Sequence, residues 1–283
     1  MELAAIVAGV LLVVGGLVVL AGSGLHAWVA RHQGLVVKAA RVAGDLLRRL
    51  AGPHRRRHKE RSLGPGGNAL ALMLVPGLAA VALPAVALGG LVDNVTGGDG
   101  VAGVDQPVAR FVAGHRTSGL TFVMRAVSVA GGPFGMAGGA LAAGLLLGIV
   151  WRSWAPAAVL CTTAAGAIGL TIVFKAALAQ PRPPWAQAVG AADGYGFPSG
   201  HAAAAAAVCG AAAWLCSVRM RSWRARTGIW AAAAMLAVLV GVSRVYLGVH
   251  WATDVLGGWI CGLLWLAVVV SAWAAFAQFP HPR

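Results

Sequence analysis

Residues 198–218 read PSGHAAAAAAVCGAAAWLCSV, a polar tetrapeptide followed by an apolar run. The run from 201 to 218 reaches the length of about 17 to 25 residues that a helix needs to cross a bilayer. Ser199 is typical of a helix N-cap, and Gly200 leaves the free backbone N–H groups of a first turn open to phosphate oxygens. A serine cap before a membrane helix is common, so the tetrapeptide alone does not identify a site.

Six other apolar runs of similar length accompany this stretch. The chain is 59% hydrophobic and only 11% charged, which exceeds what one soluble core would use in 283 residues. We therefore predict an all-α, polytopic membrane helix bundle. Its predicted spans are residues 3–22, 68–92, 134–150, 155–178, 201–218, 228–249 and 255–277. Gly and Ala dominate these runs, which predicts close helix packing.

The formal net charge of +14 is unevenly distributed. Ten Lys and Arg residues lie between positions 31 and 61 and four between 219 and 226, in loops on one side of the predicted bundle. The positive-inside rule makes that side, with the C-terminus, cytoplasmic. Motifs of nucleic-acid-binding domains are missing, and anionic lipid head groups explain the basic cluster at 55–57 equally well. We predict membrane lipids, not nucleic acid, as partners.

The first 62 residues form a separate unit in this interpretation. The span 3–22 is predicted to be a transmembrane anchor, because its basic flank follows it, unlike that of a cleaved signal. Residues 30–50 either lie along the inner surface as an amphipathic helix or form a solvated basic linker. Residues 63–283 form the membrane domain, which starts near the Gly-Pro-Gly-Gly break at 64–67.

The polar segment between positions 93 and 125 connects two predicted spans. The sequence DQP at 105–107 predicts the start of a short helix that carries Arg110 and His115. The segment either covers a site or serves as an ordinary connection, since it has no spacing that chemistry requires. Arg125 either binds an anionic head group or anchors the chain at the interface.

Two further polar stretches lie at the ends of predicted spans. In one, Lys175 is followed seven residues later by Arg182. Seven residues are about two helical turns, so a helix that carried both would direct them to one side. In the other, His250 and Asp254 are four residues apart, which on a helix places them in contact. A carboxylate that holds one imidazole nitrogen fixes the tautomer and leaves the other nitrogen as a nucleophile.

Each stretch also has a purely structural interpretation. Lys175 and Arg182 would then be interfacial cations, and Asp254 an acid favoured at a helix N-terminus. That interpretation leaves Arg244 unexplained, because a charge at depth in a membrane costs on the order of a few kcal/mol. All three stretches fall on the predicted outer side, so four helix ends would converge on one outward-facing cleft.

The three stretches together hold what metal-free cleavage of a phosphate ester needs: cations for the phosphoryl group, a nucleophile, and an acid for the leaving oxygen. Their order and spacing resemble the type 2 phosphatidate phosphatase superfamily, the lipid phosphate phosphatases, over roughly residues 68–277. The resemblance implies a six-helix phosphatase core, here preceded by one extra N-terminal transmembrane helix.

The resemblance also implies roles for individual residues. His250 would be the nucleophile that forms a phosphohistidine, Asp254 would orient it, and His201 would act as the acid and then as the base. No metal and no cofactor would be needed. The phosphate oxygens would bind to Lys175, Arg182, Ser199, Gly200 and Arg244.

The resemblance predicts an enzyme that hydrolyses a lipid phosphate or diphosphate monoester at the outer face of the cell membrane. Phosphatidate, phosphatidylglycerophosphate and polyprenyl diphosphate are substrates of the expected type. Three alternatives stay open: phosphoryl transfer to another lipid, the chemistry of the vanadium haloperoxidases that this site pattern also resembles, and a non-catalytic membrane scaffold or transporter. The sequence does not predict the oligomeric state.

Overall fold

The computed structural model describes residues 65–98, 100–183, 188–190 and 193–276. Within these residues the fold is all-α, without a strand. A short 3-10 helix, Gly100–Val104, precedes α2. The α-helices are α1 (Pro65–Gly97), α2 (Asp105–Gly114), α3 (Ser118–Ala130), α4 (Pro133–Trp151), α5 (Ala155–Leu178), α6 (Gly200–Val218), α7 (Trp223–Tyr246) and α8 (Ala252–Phe276). The predicted span 3–22 and the segment 30–50 lie outside the described residues.

Six of the described helices are long and apolar enough to cross a membrane, namely α1 and α4 to α8. The chain is thus a multi-pass membrane protein, and the predicted six-helix core is confirmed. Helix α5 has the predicted bounds. Helix α7 begins before the predicted 228–249 span, because the Ser222 side chain caps it by accepting a hydrogen bond from Ala225 N at 3.4 Å. It ends shortly before Gly248, whose φ of +73° turns the chain.

The segment between α1 and α4 is more helical than its sequence indicates. The short helix predicted at position 105 is confirmed as α2, whereas α3 is not among the predicted helices. The Thr117 side chain starts α3 by accepting a hydrogen bond from Leu120 N at 3.3 Å. Thr117 N in turn donates to the hydroxyl of Tyr246, at the end of α7, at 3.1 Å. The segment therefore packs on α7.

Helix α6 lies at the centre of the bundle, and its alanines at 202–207 are buried. Two glycines of α8 make a close approach to it. A Cβ at Gly258 would lie 2.4 Å from Ser199 O, and a Cβ at Gly262 would lie 2.4 Å from Ala203 O. Small residues on both helices therefore bring α8 against the start of α6, as the Gly and Ala content predicts.

Candidate active site

The three polar stretches meet at one end of the bundle, where α5 and α7 end and α6 and α8 begin. Hydrogen bonds join them directly. Ser199 N donates to Asp254 O at 2.8 Å, and the indole Nε1 of Trp251 donates to Pro181 O at 3.3 Å. The predicted convergence of four helix ends is therefore found. Buried polar side chains of this region include Ser199, Ser243, Arg244, His250, Thr253 and Asp254.

His250 and Asp254 are in contact, with Nδ1 of the imidazole 3.1 Å from Oδ2 of the carboxylate. They do not share a helix, so the i,i+4 argument that assumes one does not apply; the predicted spans, which end at 249 and begin at 255, already place the two residues at different helix ends. His250 lies in the turn before α8, and Asp254 lies in the first turn of the helix. The same Oδ2 accepts a hydrogen bond from Trp251 N at 3.0 Å, so the carboxylate also caps the helix start. This capping hydrogen bond thus fixes the Asp254 carboxylate, which in turn holds the His250 imidazole.

The second ring nitrogen of His250 identifies the tautomer. Nε2 lies 3.1 Å from Nη1 of Arg182, and a guanidinium only donates hydrogen bonds. Nε2 is therefore the unprotonated nitrogen, and Nδ1 carries the proton that it donates to Asp254. In this tautomer, Nε2 holds the lone pair that can attack phosphorus.

The environment of His250 also determines its charge. The side chain is buried, and burial lowers its pKa well below the ordinary value of 6.5. The positive charges of Arg182, Arg244 and Lys175 lower this pKa further. The imidazole is therefore neutral at neutral pH, which is the form that acts as a nucleophile.

Lys175 and Arg182 do not lie on one helix, so the spacing argument that assumed a shared helix does not apply, in agreement with the predicted span 155–178. Helix α5 ends at Leu178, and Arg182 lies in the chain that follows it. The cause is Pro181, which disfavours the helical conformation for the residue before it and has no N–H to donate. Helical spacing therefore does not bring these two cations together.

Both cations instead bind the turn at 193–196. Lys175 Nζ donates to the carbonyl oxygens of Tyr195 and Gly196. The guanidinium of Arg182 donates to three carbonyl oxygens, at 2.9, 2.9 and 2.7 Å, which belong to Asp193, Gly194 and Val249. Backbone oxygens thus hold both cations beside His250.

The start of α6 presents groups that lack partners. Ser199 is at the N-cap position, but its side chain makes no capping hydrogen bond. Its backbone N–H donates to Asp254 O. Ser199 Oγ and Arg244 Nε are buried without a hydrogen-bond partner among the described residues. A Cβ at Gly200 would meet only Thr171 Oγ1, at 3.5 Å. Because buried polar groups are normally paired, these groups suit the oxygens of an anion at the open first turn.

His201 lies in the first turn of α6 and is half-buried. Ser199, two residues before it, donates its backbone N–H to Asp254 O at 2.8 Å, which places this turn beside the start of α8. The start of α4 closes one side of the site, since a Cβ at Gly132 would lie 3.2 Å from Nε2 of His201. The structure therefore brings both histidines, the carboxylate and the cations to one place.

Two residues near this site are not predicted from the sequence to be site residues. Ser128 of α3 is buried and accepts a hydrogen bond from Nη1 of Arg244, 116 residues further along the chain. Asp105, the first residue of α2, is buried and accepts two hydrogen bonds from Thr253, 148 residues further along. Neither contact follows from local spacing.

Arg125 is anchored to the protein. Its Nη2 donates to Val189 O at 2.7 Å, and Val189 N donates to Leu247 O at 2.9 Å. Arg125 thus ties α3 to the chain that follows Arg182, which gives it a structural contact that the sequence does not predict.

Comparison with known proteins finds similarity to one superfamily of phosphatases. The PAP2 superfamily profile matches residues 156–277. Phosphatidylglycerophosphatase B from Bacillus subtilis is 41% identical over 96 residues, which are 34% of this chain and 47% of that protein. Undecaprenyl-diphosphatase from Sulfolobus acidocaldarius is 38% identical over 68 residues, 24% of this chain and 29% of that protein. The chain thus spans less than half the length of each of these curated relatives.

A solved structure covers more of the chain. The crystal structure of a transmembrane PAP2-type phosphatidylglycerolphosphate phosphatase from Bacillus subtilis superimposes with a TM-score of 0.62 and 26% sequence identity. The superposition covers 69% of this chain and 98% of that one. The resemblance inferred from the motifs is therefore confirmed: residues 156–277, which contain all three polar stretches, match the PAP2 superfamily model, and the helix bundle superimposes on that of a transmembrane PAP2-type phosphatase.

Proposed function

We propose that this chain is a hydrolase that removes phosphate from a lipid phosphate or diphosphate, without a metal ion, through a phosphohistidine at His250. The observation that carries the proposal is the state of His250, a buried neutral imidazole with Nδ1 held by Asp254 and with Nε2 beside Arg182. Two relatives are named phosphatidylglycerophosphatase B and undecaprenyl-diphosphatase, which supports this class of reaction.

The proposed reaction has two steps. In the first, Nε2 of His250 attacks phosphorus and the bond from phosphorus to the leaving oxygen breaks. His201, whose protonated form the bound phosphate anion would favour, donates its proton to that oxygen. The products are the lipid alcohol, or the lipid monophosphate from a diphosphate, and a phosphohistidine. In the second, His201 takes a proton from water as the water oxygen attacks phosphorus. The phosphorus–nitrogen bond then breaks, which releases phosphate and restores both histidines.

The cations and partnerless groups would stabilise the charge that develops on the phosphoryl oxygens. Arg244 offers its buried Nε, and Ser199 offers its buried hydroxyl. Gly200 leaves the backbone N–H groups of the first turn of α6 accessible. Lys175 and Arg182 would add positive charge to the same site. When substrate binds, the Arg182 guanidinium would give up its contact with Nε2 of His250 and donate to a phosphate oxygen instead.

The position of the site supports a lipid substrate. It lies where membrane-spanning helices end, so a phosphate head group could reach it while the acyl or prenyl chain stays in the bilayer. Phosphatidate, phosphatidylglycerophosphate and polyprenyl diphosphate have this form. The basic segment 219–226, which comprises the connection between α6 and α7 and the first turn of α7, lies at the other ends of these helices, so the positive-inside rule supports an outward-facing site and cytoplasmic basic segments.

The test is phosphate release by purified protein from these lipid phosphates. We expect turnover by wild type, none above background by His250→Ala, and full turnover by the control His115→Ala, at the end of α2. Labelled lipid phosphate should leave an acid-labile, base-stable label on wild type that is absent from His250→Ala. Unchanged turnover in His250→Ala would refute the mechanism.

A second measurement tests the orientation. A short-chain, water-soluble phosphatidate is supplied to intact cells that express the protein and to permeabilised cells. An outward-facing site predicts equal rates in both. Turnover that requires permeabilisation would place the site on the cytoplasmic side.

A further inference from the structure

Asp105 is a buried acid that belongs to none of the three polar stretches. It is the first residue of α2, and only 8% of its surface is exposed. Both of its carboxylate oxygens bind Thr253: the backbone N–H donates to Oδ1 at 3.0 Å, and Oγ1 donates to Oδ2 at 2.5 Å. One residue of the first turn of α8 thus binds both oxygens of the carboxylate.

This contact caps α8 from outside the helix. The first backbone N–H groups of a helix have no partner within it, and a negative group is favourable at this end. Asp105 supplies that group from a different helix, because Thr253 is the second residue of α8. Thr253 and Asp254 are each only 1% exposed, so this turn is enclosed by protein.

The same turn carries the residue that holds the proposed nucleophile. Asp254 follows Thr253 directly, and its Oδ2 accepts from Trp251 N and from Nδ1 of His250. Two carboxylates therefore hold one helical turn. Asp105 fixes it from the side of α2, and Asp254 connects it to the imidazole.

Docking of α2 does not by itself require an acid at position 105. Leu91, Val101 and Leu256 form an apolar cluster against which Val104 and Val108 pack, and this cluster joins the same elements. Burial raises the pKa of Asp105 from 3.8 to about 6, and the nearby charge of Asp254 also raises it. An acid therefore occupies a buried position where apolar contacts already dock α2, and both of its oxygens bind Thr253, which points to a role in geometry.

We propose that Asp105 is a positioning residue for the reaction: through Thr253 it fixes the first turn of α8 and so keeps Asp254 and His250 aligned for attack on phosphorus. This inference rests on the proposed function. Asp105 itself touches neither His250 nor, in the proposed reaction, the substrate.

The kinetic test uses Asp105→Asn and Thr253→Val in the full-length protein. Misplacement of a reacting group by about 1 Å can cost roughly 100-fold in rate, so we expect kcat to fall about 10- to 100-fold in both variants while KM changes little. Thr253→Ser keeps the hydroxyl and should restore most of kcat. The matched control is Thr163→Val, which removes a buried hydroxyl that bonds only within α5, to Val159 O at 2.7 Å.

A double-mutant cycle separates positioning from a general loss of stability. If Asp105 acts through Asp254, Asp105→Asn should lower kcat little further in an Asp254→Asn background. Fully independent effects of the two substitutions would overturn the inference. Thermal unfolding in detergent verifies that the compared variants are folded at the assay temperature.

A measurement that does not depend on catalytic turnover tests the positioning role of Asp105 separately from the proposed function. The ¹⁵N signals of the His250 ring, assigned by their loss in His250→Gln, report the Nδ1–H tautomer. We expect a mixed tautomer population in Thr253→Val and in Asp105→Ala, and the wild-type signals in Thr163→Val. Wild-type His250 signals in both site variants would overturn the inference. Absence of wild-type turnover on every lipid phosphate would instead refute the proposed function.

Discussion

Nη1 of Arg182 lies 3.1 Å from Nε2 of His250, the nitrogen that we propose as the nucleophile. This contact has two consequences. It requires Nε2 to be unprotonated, because a guanidinium cannot accept a hydrogen bond. It also places a cation where a phosphate oxygen would need one. A short movement of the Arg182 side chain would replace its contact with the imidazole by a contact with the phosphate of the substrate.

Removal of the Arg182 charge should change the pH dependence of the reaction. His250 must be neutral to attack, and its pKa lies well below 6.5 because of burial first and the Arg182 charge second. In Arg182→Gln this pKa should rise towards 6.5, so the acidic limb of kcat/KM against pH should move to higher pH. The control is Arg110→Gln, an exposed arginine of α2. An unshifted limb in Arg182→Gln would contradict the assignment of His250.

Substitution of Asp254 should affect kcat more than KM. Asp254→Asn keeps the shape but removes the charge that stabilises the imidazole and selects its tautomer. A comparable substitution in a catalytic triad lowers kcat by about 10⁴, so we expect a loss of about 100-fold or more. Asp93→Asn in α1, outside the proposed site, is the matched control. A large rise in KM with normal kcat would assign Asp254 to substrate binding instead.

The sequence predicts the membrane helices well because hydropathy and length determine them. The bounds of α5 are predicted to the residue, since apolar residues fill the helix from Ala155 to Leu178. The start of α7 is not predicted correctly. The helix begins after the Ser222 cap and therefore includes the basic residues 224 and 226. Hydropathy does not report caps of this kind.

The site is predicted as a set of residues but not in its geometry. Local spacing suggests the contact between His250 and Asp254, although the contact forms at a helix start and not along a helix. The contacts of Asp105 and Ser128 span more than 100 residues and depend on how α2 and α3 pack. No single-sequence period encodes such contacts, since they arise only when the helices assemble.

Gly200 offers a test of the phosphate position. A Cβ there would meet only Thr171 Oγ1, at an ordinary contact distance of 3.5 Å, so Gly200→Ala should fold with unchanged or slightly higher thermal stability. The methyl group should nevertheless obstruct the N–H groups at the start of α6. Loss of one hydrogen bond to a charged group costs about 1.5 to 3 kcal/mol, so KM and the inhibition constant for phosphate should rise about tenfold or more.

The matched control for Gly200→Ala is Gly138→Ala in α4, where a Cβ would meet nothing within 4 Å. It makes the same chemical change in a membrane-spanning helix outside the site, so KM should stay at the wild-type value. If Gly200→Ala also keeps the wild-type KM and phosphate inhibition, phosphate does not bind at the start of α6.

Ser128 should control the position of Arg244. Its Oγ accepts from Nη1 of Arg244, whose Nε already lacks a partner. Ser128→Ala would leave a second buried donor unsatisfied, which costs about 1 to 3 kcal/mol, so the melting temperature should fall and KM should rise as the guanidinium loses its fixed direction. Ser217→Ala, which removes a buried hydroxyl bonded within α6, should leave KM unchanged. A lower melting temperature with unchanged KM in Ser128→Ala would show that Arg244 does not bind the phosphate.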